Sequence, residues 1–247
     1  MIEINKIYNE NCLIGMNNIN DKSVDMILCD LPYGTTQNKW DSIICLNKLW
    51  GQYNRIIKDN GAIVLFAQTP FDKVLGSSNL KMLKYEWIWE KTTATGHLNA
   101  KKMPLKAHEN ILIFYKKLPV YNPQKTQNHT PVHSYTKYQD DGSNYGKTSI
   151  GISGGGSTER YPRSVILFKS DKQKQALHPT QKPVALCEYL IKTYTNECDI
   201  VLDNCMGSGT TAIACINTNR QYIGFELDTN YYNIALERIN NAYLKLN

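Results

Sequence analysis

Asp30, Leu31, Pro32 and Tyr33, followed by Gly34, close an apolar run that begins at Val24. A carboxylate next to a backbone carbonyl can accept two hydrogen bonds from one amino group. Held that way, an amine attached to a ring is drawn out of conjugation and its lone pair is exposed. Pro32 stiffens the turn, and Tyr33 offers a flat face on which a base can stack. An Asp-x-Pro turn after a strand has the same residues, so both readings stand at this level.

A second group with chemical potential is Asp203-Asn204-Cys205-Met206-Gly207-Ser208-Gly209-Thr210-Thr211. Glycines between a strand and a helix let the backbone approach a ligand closely, and the helix start offers free N–H groups. No lysine follows the glycines, and the spacing is not G-x-G-x-x-G, so neither a P-loop nor the dinucleotide fingerprint is present. Glu226 stands 19 residues after Gly207 at the end of the next apolar run. An acid there can accept hydrogen bonds from both hydroxyls of a ribose. Together these residues point to a nucleoside cofactor whose binding does not depend on pyrophosphate; alone, the glycines would also suit a tight turn.

Both groups need strands to hold them. Val24 to Cys29 reads as a short buried strand ending at Asp30, and Asn60-Gly61 precedes a second run from Ala62 to Phe66. Between them Leu46, Leu49, Tyr53, Ile56 and Ile57 follow helical spacing, and Pro70 opens a short helix. Tyr85 to Trp89 and Asn110 to Tyr115 read as further strands. From Lys116 to about Arg160 periodicity disappears into a span rich in Asn, Gln, Gly, Ser, Thr and Tyr, and a loop that long is usually functional or disordered. A helix from Pro183 to Tyr194, a strand from Ile200 to Asp203, a helix from Thr210 to Asn217, a strand from Gln221 to Glu226 and an amphipathic helix from Asn230 to Leu244 follow. Strands alternating with helices indicate an α/β fold on a mostly parallel sheet.

Composition narrows the classes. With 247 residues, 42% of them apolar and 20% charged, the chain can build a core without disulfide or metal staples. The apolar run Ala62 to Ala67 is far shorter than the ~20 residues a membrane span needs. Met1 to Lys6 lacks the pattern of a secretory leader. The seven cysteines are odd in number and none sits in C-x-x-C, which suits free thiols in the cytoplasm. His97, His108, His129 and His133 form no metal-ligand spacing, so packing or surface roles are expected and no metal. The net charge of +6 is unevenly placed: Lys91 to Lys182 holds 15 basic and 5 acidic residues, and the rest of the chain balances at −4. Tyr115, Tyr121, Tyr135, Tyr138, Tyr145 and Tyr161 are interleaved in that basic span. Polyanion contact and a solvated lysine-bearing loop both fit.

Asp30-Leu31-Pro32-Tyr33, the Asp203-to-Thr211 loop and His178-Pro179-Thr180-Gln181-Lys182-Pro183 together resemble the β-class amino-methylating DNA methyltransferases, the D-P-P-Y family that uses S-adenosylmethionine. The order matches too: catalytic motif first, target-recognition region in the middle, cofactor loop last. Val24-Asp25-Met26-Ile27, Asn38-Lys39-Trp40-Asp41, His108 to Phe114 and Tyr222 to Asp228 extend the likeness, which covers roughly residues 20–115 and 160–240. Two positions depart. Leu31 replaces the first proline, leaving a carbonyl in place but a less rigid turn. Asn204-Cys205 replaces the usual Pro-Phe, and the smaller Cys205 gives the cofactor less to pack on.

The resemblance implies a Rossmann-like methyltransferase sheet over residues 1–247, with an inserted target-recognition region over 116–165. It implies a site-specific modification enzyme that flips a base out of double-stranded DNA and transfers a methyl group directly to adenine N6. Asp30, Leu31, Pro32 and Tyr33 would be catalytic, Tyr33 stacking on the base while Asp30 and the Leu31 carbonyl hold its amine. Asp203, Cys205, Gly207, Ser208, Gly209, Thr210 and Glu226 would bind the cofactor, Glu226 at the ribose. His178, Thr180 and Lys182 would close the methionine side, Lys182 being either a partner for the methionine carboxylate or a surface lysine. Lys116, Lys117, Lys125, Lys137, Lys147, Arg160 and Arg163 would meet phosphates, and a homodimer is the assembly the family suggests. None of the cysteines follows a proline, so the covalent route of ring-carbon methyltransferases is not expected. The alternatives are a cytosine-N4 enzyme of the same class, a noncatalytic DNA-binding relative and, least favoured, a nicotinamide oxidoreductase.

Overall fold

Every apolar run singled out above forms a strand, and most extend past their apolar centres. In chain order the computed structural model contains β1 (Lys6–Tyr8), α1 (Cys12–Gly15), β2 (Val24–Asp30), α2 (Leu46–Ile56), β3 (Ile57–Ala67), α3 (Phe71–Ser78), β4 (Leu83–Thr95) and β5 (Lys106–Phe114). It continues with β6 (Tyr135–Thr136), β7 (Ser153–Gly154), β8 (Val165–Phe168), α4 (Val184–Tyr194), β9 (Ile200–Asp203), α5 (Thr210–Asn217), β10 (Gln221–Phe225) and α6 (Thr229–Leu244). The residues described are 2–34, 42–137, 150–170 and 181–245. Asn38 to Asp41, Tyr138, Tyr145, Lys147, His178 and Thr180 lie outside them.

Eight strands form one sheet in the order β1-β10-β9-β2-β3-β5-β4-β8. In this sheet, among the described residues, β5 alone runs antiparallel to its neighbours and the other pairings are parallel. The central strands are apolar on both faces because both are covered. Along β3, Ala62, Val64 and Phe66 pack with α4, α5 and α6, while Ile63, Leu65 and Ala67 pack with α1, α2 and α3. A one-residue shift in register would exchange the two cores. Among the described residues no helix is long and apolar enough to cross a membrane.

The neighbours β2 and β9 are where the winding reverses. From β9 the chain passes through α5 on one face to β10; from β2 it passes through α2 on the other face to β3. The crevice outside the carboxyl ends of such a strand pair is where open α/β sheets bind ligands. Asp30 ends β2 and Asp203 ends β9.

Several details differ from the sequence expectation. Asn60-Gly61, expected ahead of the strand, lies inside β3, opposite an irregularity in β2 between Val24 and Met26. A Cβ on Gly61 would sit 2.7 Å from the Asp25 carbonyl, so only glycine admits that close approach. The strand predicted to end at Glu226 ends at Phe225. The irregular region also begins later: Pro123–Arg163 forms a compact unit of its own, whereas residues 116–122 belong to the first unit. There Asn122 donates from its backbone N–H to the Thr193 carbonyl at 2.8 Å, and the Tyr121 ring meets Tyr194. Within the second unit a short antiparallel pair, β6 with β7, is joined by the Thr126–Arg160 bridge and a Lys125–Glu159 ion pair at 2.9 Å.

Candidate active site

Asp30 sits at the mouth of the β2–β9 crevice with both carboxylate oxygens engaged. The Tyr33 hydroxyl donates to Oδ1 at 2.6 Å, and the Lys182 ammonium donates to Oδ2 at 2.5 Å. Lys182 is not a surface lysine: its side chain is 7% exposed and lies over the rings of Phe66 and Tyr33, 5.2 and 5.7 Å from their centroids. It is anchored from behind by Glu109, whose Oε2 stands 3.2 Å away, and Glu109 Oε1 in turn accepts from Lys91 at 2.5 Å. The result is an alternating row of two carboxylates and two ammonium groups, Asp30, Lys182, Glu109 and Lys91. Leu31 is buried beside it, and the Tyr33 ring stacks on Phe71 at 5.3 Å and 26°.

Electrostatics follow from that row. Burial raises the Glu109 carboxyl, but the Lys182 and Lys91 charges outweigh it and hold the group at about 2. Burial likewise raises Asp30; Lys182 opposes this and Glu109 adds to it, leaving the group above the ordinary aspartate range. Burial would lower Lys182, yet Asp30 and Glu109 together raise it, so it stays charged. Tyr33 is pushed far up, by burial first and then by the two carboxylates, and remains a neutral donor. Each carboxylate oxygen can accept two hydrogen bonds, so Asp30 retains acceptor capacity toward the crevice while Lys182 fixes its orientation.

The second half of the site is built from β9, α5 and β10. Asp203 is buried and accepts from the Cys205 amide at 3.0 Å and the Thr211 hydroxyl at 2.6 Å, which ties the loop to the first turn of α5. Burial pushes its carboxyl up to about 6 in spite of those donors. Gly207 and Gly209 have φ of 53° and 85°, the left-handed region that favours glycine, and a Cβ on Gly209 would also press within 3.2 Å of the Ala235 backbone. Ser208 is held by Arg238, which donates to its hydroxyl at 2.8 Å, and Thr210 is buried at the helix start. Glu226, just past β10, is half-buried. Its Oε2 accepts from the Gly207 amide at 2.7 Å and its Oε1 from the Asp228 amide at 2.8 Å, which orients the carboxylate against the glycine loop.

The departure at Asn204-Cys205 is accommodated by neighbours. The Asn204 Oδ1 accepts from the buried Tyr53 hydroxyl at 2.5 Å, and its amide nitrogen lies 3.6 and 3.4 Å from the sulfurs of Cys12 and Cys205. Asn204 thus links α2 to the loop, a role that proline cannot fill. All seven cysteines are free thiols.

The structure brings together Asp30, Leu31, Tyr33 and Lys182 at one end of the crevice, and Asp203, Cys205, Gly207, Ser208, Gly209, Thr210 and Glu226 along the other. Lys182 stands with the first group, bonded to Asp30. Glu109 and Lys91 were missed as site residues; the signal was charge bordering an apolar strand stretch, Glu90-Lys91 after Trp87-Ile88-Trp89 and Glu109 shortly before Ile111-Leu112-Ile113. The four histidines at 97, 108, 129 and 133 are exposed, and no cluster of three metal-ligating side chains occurs among the described residues. Lys116 and Lys117 follow the end of β5 at the opposite edge of the sheet from Asp30. Lys116 donates to the Asn54 carbonyl, and Lys117 pairs with Asp59 at 3.3 Å. Arg160 is taken up by the carbonyls of Ser157, Glu159 and Thr130.

Residues 24–237 match a family model described as DNA methylase. The chain is 30% identical to the Type II methyltransferase M1.MboII of Moraxella bovis, across 95% of this chain and 96% of that one. It is 27% identical to the DNA adenine methyltransferase YhdJ of Escherichia coli K12, across 97% and 84%. Among solved structures it is similar to the M1.HpyAVI–SAM complex, with a TM-score of 0.63 and 26% identity over 94% of this chain and 98% of that one. It also shares its fold with the cytosine-N4-specific PvuII DNA methyltransferase, at a TM-score of 0.67 and 14% identity over 97% and 91%.

Proposed function

Since the chain belongs to the N6/N4 DNA methylase family, we propose that it transfers a methyl group from S-adenosylmethionine to adenine N6 at specific sites in double-stranded DNA. The observation that carries this reading is the meeting of the Asp30 motif and the Asp203–Gly209 loop at the carboxyl ends of the adjacent strands β2 and β9. Methyl transfer needs an amine and a methyl donor in line, and two ligand sites sharing one crevice supply that arrangement.

The residues present suit the cofactor. Glu226 accepts two backbone amides yet keeps lone pairs for ribose hydroxyls, and the left-handed glycines give the loop close backbone approach. Cys205 offers a small apolar contact. S-adenosylmethionine, when bound, supplies an electrophilic methyl group. The remaining work falls to the chain. Asp30 and the Leu31 carbonyl accept the two amine hydrogens of a flipped adenine, which raises the availability of the nitrogen lone pair. Tyr33 provides a stacking face opposite Phe71. As the nitrogen gains a carbon it must lose one proton, and Asp30 is the acceptor already in contact. Lys182 keeps Asp30 ionised until it takes that proton, and holds it in place. Catalysis of this kind is mostly positioning and charge complementarity.

Adenine is favoured over cytosine because the motif is led by Asp30, where cytosine-N4 members of the class more often carry serine. YhdJ, by its name an adenine enzyme, supports the same choice. The Type II relatives support site-specific modification of the restriction–modification kind. The separate unit Pro123–Arg163, with its exposed tyrosines, is proposed as the target-recognition region.

Glu226→Ala is expected to weaken S-adenosylmethionine binding roughly tenfold to a hundredfold, the worth of one hydrogen bond to a charged group. Calorimetric titration of wild type and variant reads this directly. Equal affinities would remove Glu226 from the cofactor site, and no binding by the wild type would remove the cofactor assignment.

A further inference from the structure

The ribbon formed by β4 and β5 continues past the carboxyl edge marked by Asp30, with β8 alongside β4 as far as Lys91. Asp30 pairs in register with Phe66, Phe66 with Ile111, and Ile111 with Trp87, so these four mark one level at the carboxyl edge. Beyond that level the two strands stay paired at Trp89 with Glu109, Glu90 with His108 and Thr95 with Lys106. Five residues of β5, from Ile111 back to Lys106, reach about 17 Å past Asp30 at ~3.3 Å per residue, and the ribbon stands two strands, roughly 10 Å, to the side of β2.

The tip is an ordered turn. Asn99 donates to the Gly96 carbonyl, and the Asn99 carbonyl accepts from the amides of Lys102 and Met103 at 2.8 and 3.0 Å. Residues 95–108 are all exposed. Leu98 is fully exposed, Met103 is half exposed, and Leu105 lies on the same turn. Among the described residues, exposed Lys101 and Lys102 have no ion pair, and the ammonium of exposed Lys106 meets the neutral Gln68 at 3.3 Å. From Thr92 to His108 there is no acidic residue. An apolar group rimmed by like charges on a projecting element marks a contact surface, and three unopposed ammonium groups select a polyanion. At the base of the same ribbon, Glu109 anchors Lys182 and through it Asp30.

We propose that the β4–β5 hairpin is a DNA-contacting ribbon that enters a groove beside the flipped nucleotide, with Lys101, Lys102 and Lys106 on phosphates and Leu98 and Met103 against the groove wall. The B-form major groove, roughly 12 Å wide, admits a two-stranded ribbon, and apolar side chains at a tip can wedge where a stack has been opened. The assignment rests on the DNA reading of the crevice and adds a surface to it.

The test is binding of a short random-sequence duplex, followed by fluorescence anisotropy between roughly 50 and 200 mM salt. Each phosphate contact contributes about 0.9 to the slope of log affinity against log salt. Lys101→Gln, Lys102→Gln and Lys106→Gln combined should therefore lower the slope by roughly two to three. Lys81→Gln with Lys84→Gln, exposed lysines at the opposite edge of the sheet, should leave it unchanged. A wild type that binds duplex, with a triple variant of equal slope or a control variant that loses as much per lysine, overturns the hairpin assignment alone. A wild type that binds no duplex at low salt overturns the DNA reading and the hairpin with it.

Discussion

Asp30→Ala is expected to lower methyl transfer by at least about a thousandfold while leaving S-adenosylmethionine affinity within about twofold of wild type. Among the described residues, its side chain is the one carboxylate that contacts both Tyr33 and Lys182. Its removal takes away both the acceptor that positions the target amine and the group that receives its proton. The cofactor half of the site is built independently on β9, α5 and β10, with Glu226 bonded to Gly207 and Asp228 and not to Asp30. Lys182 keeps Glu109 as a partner in the variant, so the pocket does not lose all compensation. Initial rates on plasmid DNA, beside calorimetric titration with the cofactor, separate the two effects. Wild-type turnover in the variant would show that the amine is held elsewhere.

Lys182→Met should cost about 3–5 kcal/mol of stability near neutral pH, the range for breaking a buried ion pair by removing one partner. The penalty should shrink in mildly acidic solution. In the wild type, the Glu109 carboxyl is held near 2 against an ordinary 4.5, so its stabilisation is complete above 4.5 and is lost as pH falls toward 2. In the variant, Asp30 loses the charge that opposes its burial, and its folded value rises further above the unfolded one. A group raised in this sense destabilises the folded state as pH climbs through the raised value. The difference between wild type and variant therefore grows from acid toward neutral. Urea denaturation at a mildly acidic and a neutral pH measures it, and a penalty independent of pH would mean that Lys182 acts through packing alone. The acid limb of the methyl-transfer pH profile should move upward in the same variant, since Asp30 must be ionised to accept the amine.

The sequence exposed the frame of this site better than its wiring. The strand ending at Asp203 and the helix Thr210–Asn217 were readable to the residue because a clean apolar run, glycines and a second apolar run follow one another without competing signals. β1 and β8 were not, since three or four residues carry no periodicity and find their place only by pairing with β10 and β4. Lys182 illustrates the limit further. Its type and position pointed to a ligand carboxylate or to solvent, whereas in the fold it meets Asp30, 152 residues away, and Glu109 on the one antiparallel strand. That juxtaposition depends on β5 entering the sheet from the opposite direction, which places its first residues, not its last, at the reactive edge. Asn204, a departure from the family pattern, was legible as a departure, but its partner Tyr53 lies on a helix 151 residues away.

The most direct test of adenine-N6 transfer is mass spectrometry of the nucleosides released from unmethylated plasmid DNA after incubation with the protein and S-adenosylmethionine. The expected product is N6-methyldeoxyadenosine, absent when Asp30→Ala replaces the wild type. N4-methyldeoxycytidine in its place would contradict the choice of adenine while leaving the crevice and its amine chemistry intact. No methylated nucleoside, from a protein that binds both the DNA and the cofactor, would contradict methyl transfer itself.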